Sequence, residues 1–277
     1  MYAAPPPGEL GLEKCARSTP LWASKSMVAF GIDLAGYTTG KTSFAAAQWQ
    51  GESVDATLFS NSVFSANVRH QTTEPIAPTL AEEVQTLRRC FAMGPVAVDV
   101  PIDLQDLLAP QRASRIWELT LRPIDQALGA MRPLADRIGS PVARFRAIMR
   151  AGAFDDLLGQ SLFETYPAGT WLLNDVVSKG YKGKNGGSAC ADLCAKLNIT
   201  PALSNDDAID AVIVAVTAAA DADHVVSGAE FADRLRGLGT EKRHELPRGY
   251  RLLKRFPSAI RVAMDDFQAW LSRRETL

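Results

Sequence analysis

Cysteine and histidine are scarce in this sequence, and neither sign of charge dominates it. Four cysteines in 277 residues, Cys15, Cys90, Cys190 and Cys194, are too few and too scattered for a disulfide scaffold. They suit a reducing, cytoplasmic compartment. The three histidines, His70, His224 and His244, show no zinc-finger spacing around Cys190 and Cys194, and no Ser-His-Asp or Cys-His motif appears. Structural zinc and a nucleophilic triad are therefore not expected. Thirty Lys+Arg against 31 Asp+Glu leave a net charge of -1, so no global positive field directs the chain to nucleic acid or a membrane surface. Any basic binding face is local. Long hydrophobic runs are missing as well: the most apolar stretch, residues 208–220, is shorter than the roughly 20 residues of a spanning helix and contains Asp210. Residues 1–22 carry neither a basic leader nor an apolar run, so neither a signal peptide nor an anchor is expected.

What is present is a core: 47% of the residues are hydrophobic, enough for one large or two small domains. Residues 1–26 read as a flexible arm. Residues 27–34, MVAFGIDL, form a short apolar run that predicts a strand, and residues 43–49 and 54–59 complete an antiparallel meander. Residues 79–93 place Leu80, Val84, Leu87 and Phe91 at helical spacing. VAVDVP, residues 96–101, predicts a buried strand. Residues 103–160 have helical periodicity broken at Pro110, Pro123, Pro133 and Pro141, which predicts a helical insertion. LFETY, residues 162–166, predicts a fifth strand; helices follow over 171–179, 189–197 and 206–222, the last capped by Ser204. Residues 239–277 read as a basic helical segment packed on a domain spanning 27–238. The whole predicts an α/β protein with a mixed sheet flanked by helices.

Acids interrupt these apolar runs. Asp33, Asp99 and Glu164 each sit within or at the end of a predicted buried strand, where a lone charge is costly. Asp207 and Asp210, three residues apart at the start of an Ala/Val-rich helix, share a face. Neighbouring parallel strands would bring these carboxylates together at the carboxyl edge of the sheet, where open α/β sheets place ligands. Such a cluster repels itself and takes up protons unless a cation shares it. All-oxygen ligation favours Mg²⁺ or Mn²⁺, and a pair of such ions would support phosphodiester cleavage.

In order and spacing, GIDLAG, AVDVPIDL, FETYPAG and SNDDAIDAVIVAVTA resemble the predicted nucleases of the ribonuclease-H-like superfamily called domain of unknown function 429, over about residues 27–222. The resemblance implies a sheet of three antiparallel strands followed by parallel ones. It implies Mg²⁺ or Mn²⁺ held principally by Asp33, Asp99 and Asp210, with Glu164 and Asp207 completing or orienting the catalytic shell.

Other readings compete. AGYTTGKT, residues 35–42, satisfies a relaxed P-loop pattern, but a short run meeting Gly51 follows where a phosphate-cradling helix should start. An actin-like phosphotransferase would use Asp33, Gly36 and Thr38 or Thr39 of the same strand-loop-strand opening, although such proteins need two such domains. A non-catalytic scaffold would keep the sheet alone. For substrate contacts, Lys182 and Lys184 in the loop GYKGKNGG and Arg248 and Arg251 in the basic tail are the candidates, with nucleic acid as the candidate partner and no membrane.

Overall fold

The structure, a computed structural model, describes residues 27–37, 42–64, 76–104, 122–133, 138–176, 180–182, 186–237 and 246–275. The arm expected over 1–26, the Gly40-Lys41 tip and Lys184 lie outside the described residues.

The meander forms as the alternation predicts. β1 (Ala29–Asp33), β2 (Ser43–Gln50) and β3 (Ser53–Asn61) pair antiparallel in sequence order. From β1 the sheet continues in parallel through β4 (Val96–Val98), β5 (Leu162–Thr165) and β7 (Tyr250–Arg251). On the far side of β3 lies β8 (Ala259–Asp266), parallel to it, and then β6 (Ile199–Thr200). One eight-stranded mixed sheet results, in the order β6-β8-β3-β2-β1-β4-β5-β7.

Parity divides its side chains. Phe30, Ile32, Val98 and Leu162 face α1 (Ile76–Met93), α3 (Gly139–Gly152) and α8 (Phe267–Glu275), which supply Leu87, Phe145 and Trp270 to the same core. On the other face, Ala45, Ala47 and Ala56 receive α6 (Asp206–Ala219), beside which α5 (Gly187–Lys196) packs Cys190, Leu193 and Cys194. Residues 208–218 of α6 are buried without interruption, as expected of a helix apolar on every side. Small strand residues let the helix lie close. A Cβ built on Gly31 would stand 2.1 Å from the Ala215 nitrogen and 2.5 Å from the Ala211 oxygen.

Three expectations need correction. The cap of α6 is Asn205, whose Oδ1 accepts from the Asp207 nitrogen at 2.9 Å, not Ser204. The helix after β5, α4 (Pro167–Leu173), starts earlier than predicted because Pro167 suits its first turn. The basic tail is not a helical appendage: it contributes two strands of the sheet, and only α8 is helical among its described residues. Ile260 and Val262 alternate with exposed Arg261, a period of two that the charge of the segment obscured. Of the predicted insertion, the described parts are α2 (Pro123–Leu128), α3 and a short 3₁₀ turn at Asp155–Leu157. No described helix is long and apolar enough to cross a membrane.

Because the atoms opposing Gly31 are helix backbone, Gly31→Val should lower stability by about 3 kcal/mol. Urea denaturation of the two proteins measures the difference; a loss under about 0.5 kcal/mol would mean that α6 does not press on β1.

Candidate active site

At the carboxyl ends of β1, β4 and β5 the chain leaves the sheet, and the three ends open onto a cavity of about 470 Å³. Asp33 closes β1 and Asp99 follows β4, its amide donating to the Ile32 oxygen at 2.9 Å. Ile32 is opposite Val98 in the register, so Asp33 and Asp99 occupy the next rung and share the α6 side of the sheet. From that side α6 supplies Asp207 and Asp210. Asp33, Asp99 and Asp207 line the cavity, while Asp210 is wholly buried behind it.

Burial and like charge both act on the proton affinities of these groups. Burial, and then repulsion from Asp210 and Asp99, hold the Asp33 carboxyl well above its usual range. Burial pushes Asp99 up to about 7, against the pull of Lys182 and with Asp210 and Glu164 adding to the rise. Asp210 is also raised by burial, even though it is directly paired. Its partners are the Lys182 ammonium and the Tyr181 hydroxyl, which donates to Oδ1 at 3.1 Å. Trp171 Nε1 in turn donates to the Tyr181 oxygen at 3.2 Å. Lys182 thus reaches the acids as expected, but as the internal counter-ion of Asp210.

Glu164 is brought to the same cavity in a different role. Val98 pairs with Glu164, so Glu164 projects to the face opposite Asp33 and Asp99. There Arg122 grips it with both terminal nitrogens, at 2.9 and 2.6 Å, and the Ile102 amide donates to it at 2.7 Å. The same guanidinium donates to both oxygens of Asp125, at 2.8 and 2.7 Å. Burial raises Glu164, and Arg122 opposes the rise. A carboxylate so engaged is a structural wall, not an available ligand, which corrects its assignment to the catalytic set. The residue of β5 on the same rung as Asp99 is instead Thr165, 2% exposed, whose hydroxyl is buried without a hydrogen-bond partner.

The tail arginines are not brought to the cavity. Arg251 stacks on Phe163, 3.5 Å from the ring centroid, and donates to the Ala218 and Ala220 oxygens at the end of α6 at 3.4 and 3.3 Å. It completes a helix C-terminus, where backbone oxygens want donors, and burial lowers its pKa to about 10. Arg248 precedes β7 and lies against Gly159, ahead of β5, at the amino end of the parallel strands. The substrate-binding role expected of both is withdrawn.

The P-loop reading also fails. β2, antiparallel to β1, begins where a phosphate-binding helix would have to start. Thr42 Oγ1 instead accepts from the Ala35 amide at 2.9 Å and from Arg144 at 3.0 Å. Arg144 is ion-paired to Glu83, which also accepts from the Tyr37 hydroxyl at 2.6 Å. This buried cluster pins the base of the loop after Asp33 to α1 and α3.

Sequence reasoning missed Arg122, Asp125, Tyr181 and Thr165. Pro123 marked only a break in helical periodicity, and nothing local tied Arg122 or Asp125 to Glu164. Among the described residues, no three His, Cys, Asp or Glu side chains are disposed to hold one metal ion. No protein-family model, curated protein or solved structure matches the chain.

Two predictions follow from the contrast between paired and unpaired acids. Arg122→Met strands two buried carboxylates and should cost about 3–5 kcal/mol; Asp33→Asn removes a repelled charge and should leave stability unchanged or raised, both read by urea denaturation. In metal-free protein, Asp33 and Asp99 hold protons in the folded state that the unfolded chain releases near pH 4. Stability should therefore fall as pH rises from about 4 towards the value of about 7 reached by Asp99. Asp99→Asn should flatten that slope; an unchanged slope would show that Asp99 is not raised.

Proposed function

We propose that this chain is a metal-dependent phosphodiesterase with a ribonuclease-H-like sheet. The observation that carries the reading is the group formed by Asp33, Asp99 and Asp210: carboxylates from two adjacent parallel strands and one helix, all raised by burial, Asp33 and Asp99 also by repulsion from neighbouring acids, with the Lys182 ammonium beside them. The strand order β3-β2-β1-β4-β5, with β2 antiparallel, supports the fold assignment.

The donor chemistry suits a hard divalent cation, although as they stand no three of the described acids converge on one ion. Oxygen-only ligands and an excess of negative charge suit Mg²⁺ or Mn²⁺. Asp33, Asp99 and Asp210 would hold it, with Asp207 beside them; Lys182 must leave Asp210 for that oxygen to become a ligand. A bound ion of this kind polarises a phosphoryl oxygen and lowers the pKa of water. The reaction is hydrolysis: the water oxygen bonds to phosphorus, the ester P–O bond breaks, and the leaving oxygen keeps the electron pair and gains a proton. The proton released by the attacking water passes to solvent, because Asp99, raised to about 7 in the metal-free protein, would lose that proton affinity as a metal ligand. Lys182, which lines the cavity, would on leaving Asp210 be free to meet the negative charge of the phosphoryl group. The Arg122–Glu164–Asp125 wall keeps the far side of the cavity rigid.

Calorimetric titration of metal-free protein with Mn²⁺ tests this reading. Binding should be saturable, absent in Asp33→Asn and Asp210→Asn, and about tenfold tighter in Lys182→Met, which lacks the competing cation, a difference of about 1.4 kcal/mol. No binding at millimolar metal would favour a scaffold that kept the sheet without the chemistry. An actin-like phosphotransferase would instead be stabilised by ATP with Mg²⁺; the described residues form one sheet and not the two such domains that it needs.

A further inference from the structure

The carboxylates are walled into a space of limited size, and its other walls say what belongs there. A volume of about 470 Å³ falls within the range of about 300–1,000 Å³ typical of small-molecule sites. Residues on either side of α2 and α3 contribute Met131, Ile138 and Pro141 to the lining, and the end of β5 contributes Tyr166. The cavity therefore joins an acidic corner to apolar and aromatic surface, the pairing that a phosphate attached to a flat ring would fill. Thr165 stands on the acidic side, opposite Asp99 in the register, and is followed in sequence by Tyr166 of the apolar side. Its hydroxyl is buried and has no partner, an arrangement that natural structures seldom leave unexplained.

What surrounds the cavity argues against a polymer. Affinity for a nucleic-acid duplex comes largely from Lys and Arg contacts to successive phosphates. Only Lys182 and Arg122 among the described cations line the cavity, and both are already on acids. Four of the described cations of the basic tail are engaged elsewhere: Arg251 closes α6, Lys254 pairs with Glu230, Arg261 with Asp55 and Arg273 with Asp265.

We propose that the substrate is a small phosphodiester of one or two nucleotide units, enclosed in this cavity with its ring on the Tyr166 and Met131 side and a polar atom on the Thr165 hydroxyl. The proposal rests on the hydrolytic reading above for its chemistry, and on the cavity for its substrate class. The hydrolysis is the one already written, with a nucleotide and an alcohol or second nucleotide as products.

The test compares a dithymidine dinucleotide, a single-stranded oligothymidine and a short duplex as substrates with Mn²⁺, and measures thermal stabilisation by thymidine monophosphate. Cleavage of the dinucleotide with kcat/KM about tenfold or more above that of the duplex is the expected result. Thr165→Val should raise KM for the dinucleotide about tenfold with kcat little changed, melt at the same temperature as the parent, and be rescued by Thr165→Ser. Preferential internal cleavage of the duplex, or release of mononucleotides from the single strand alone, would overturn the proposal and leave the hydrolytic reading standing. Saturable stabilisation by the monophosphate, weakened in Thr165→Val but with no diester cleaved, would sustain the enclosed nucleotide site and remove the hydrolytic reading. Neither cleavage nor stabilisation would overturn both.

Discussion

The close approach of α6 to β1 is the constraint on which the rest of the structure depends. Gly31 lets the backbone of Ala211 and Ala215 press onto the strand, and Ala45 and Ala47 on β2 extend that shallow bed. Two residues past Gly31 stands Asp33; one residue before Ala211 stands Asp210. The same contact that builds the core therefore drives two carboxylates towards each other. Packing energy, which is gained over the whole buried length of α6, can hold charges at a separation that they would not choose.

The molecule answers crowded acids in two different ways a few residues apart. Glu164 and Asp125 are gripped by Arg122 through four hydrogen bonds between 2.6 and 2.9 Å, a closed arrangement with little reason to change. Among the described residues Asp33 and Asp99 have no comparable clamp, and the Lys182 ammonium near them is committed to Asp210. The first solution fixes a wall. The second leaves charge that protonation or a bound cation has to balance, and that imbalance distinguishes a site from a structural ion pair.

Much of this was legible in the sequence because apolar periodicity reports elements directly. The meander, the short strand before Pro101 and the Ala/Val-rich helix, expected over 206–222 and formed over 206–219, follow from runs that can be counted. Asp33, Asp99 and Asp210 stood out because each interrupts such a run, and the structure gathers them. Glu164 stood out for the same reason and was misread, because the face a strand residue occupies depends on register with its neighbour. One residue of offset sends Glu164 to Arg122 and gives the rung beside Asp99 to Thr165. Arg122 itself is 42 residues from Glu164, and no local pattern spans that distance. The strands of the tail were hidden by composition: an alternating segment whose outward residues are arginine reads as a charged surface until a sheet edge is known to await it.

The position of β8 has a bearing on how this chain is made. β3 acquires its outer neighbour, and β5 its own, only from residues 250–266, which are synthesised after every other strand. While the ribosome is still adding these residues, the nascent sheet presents two open edges, and β3, nine residues long, is the kind of edge on which other chains assemble. The arginines of the tail then arrive with the strands that cover β3 and β5, so the covering strands of the described sheet bring with them charge that resists self-association.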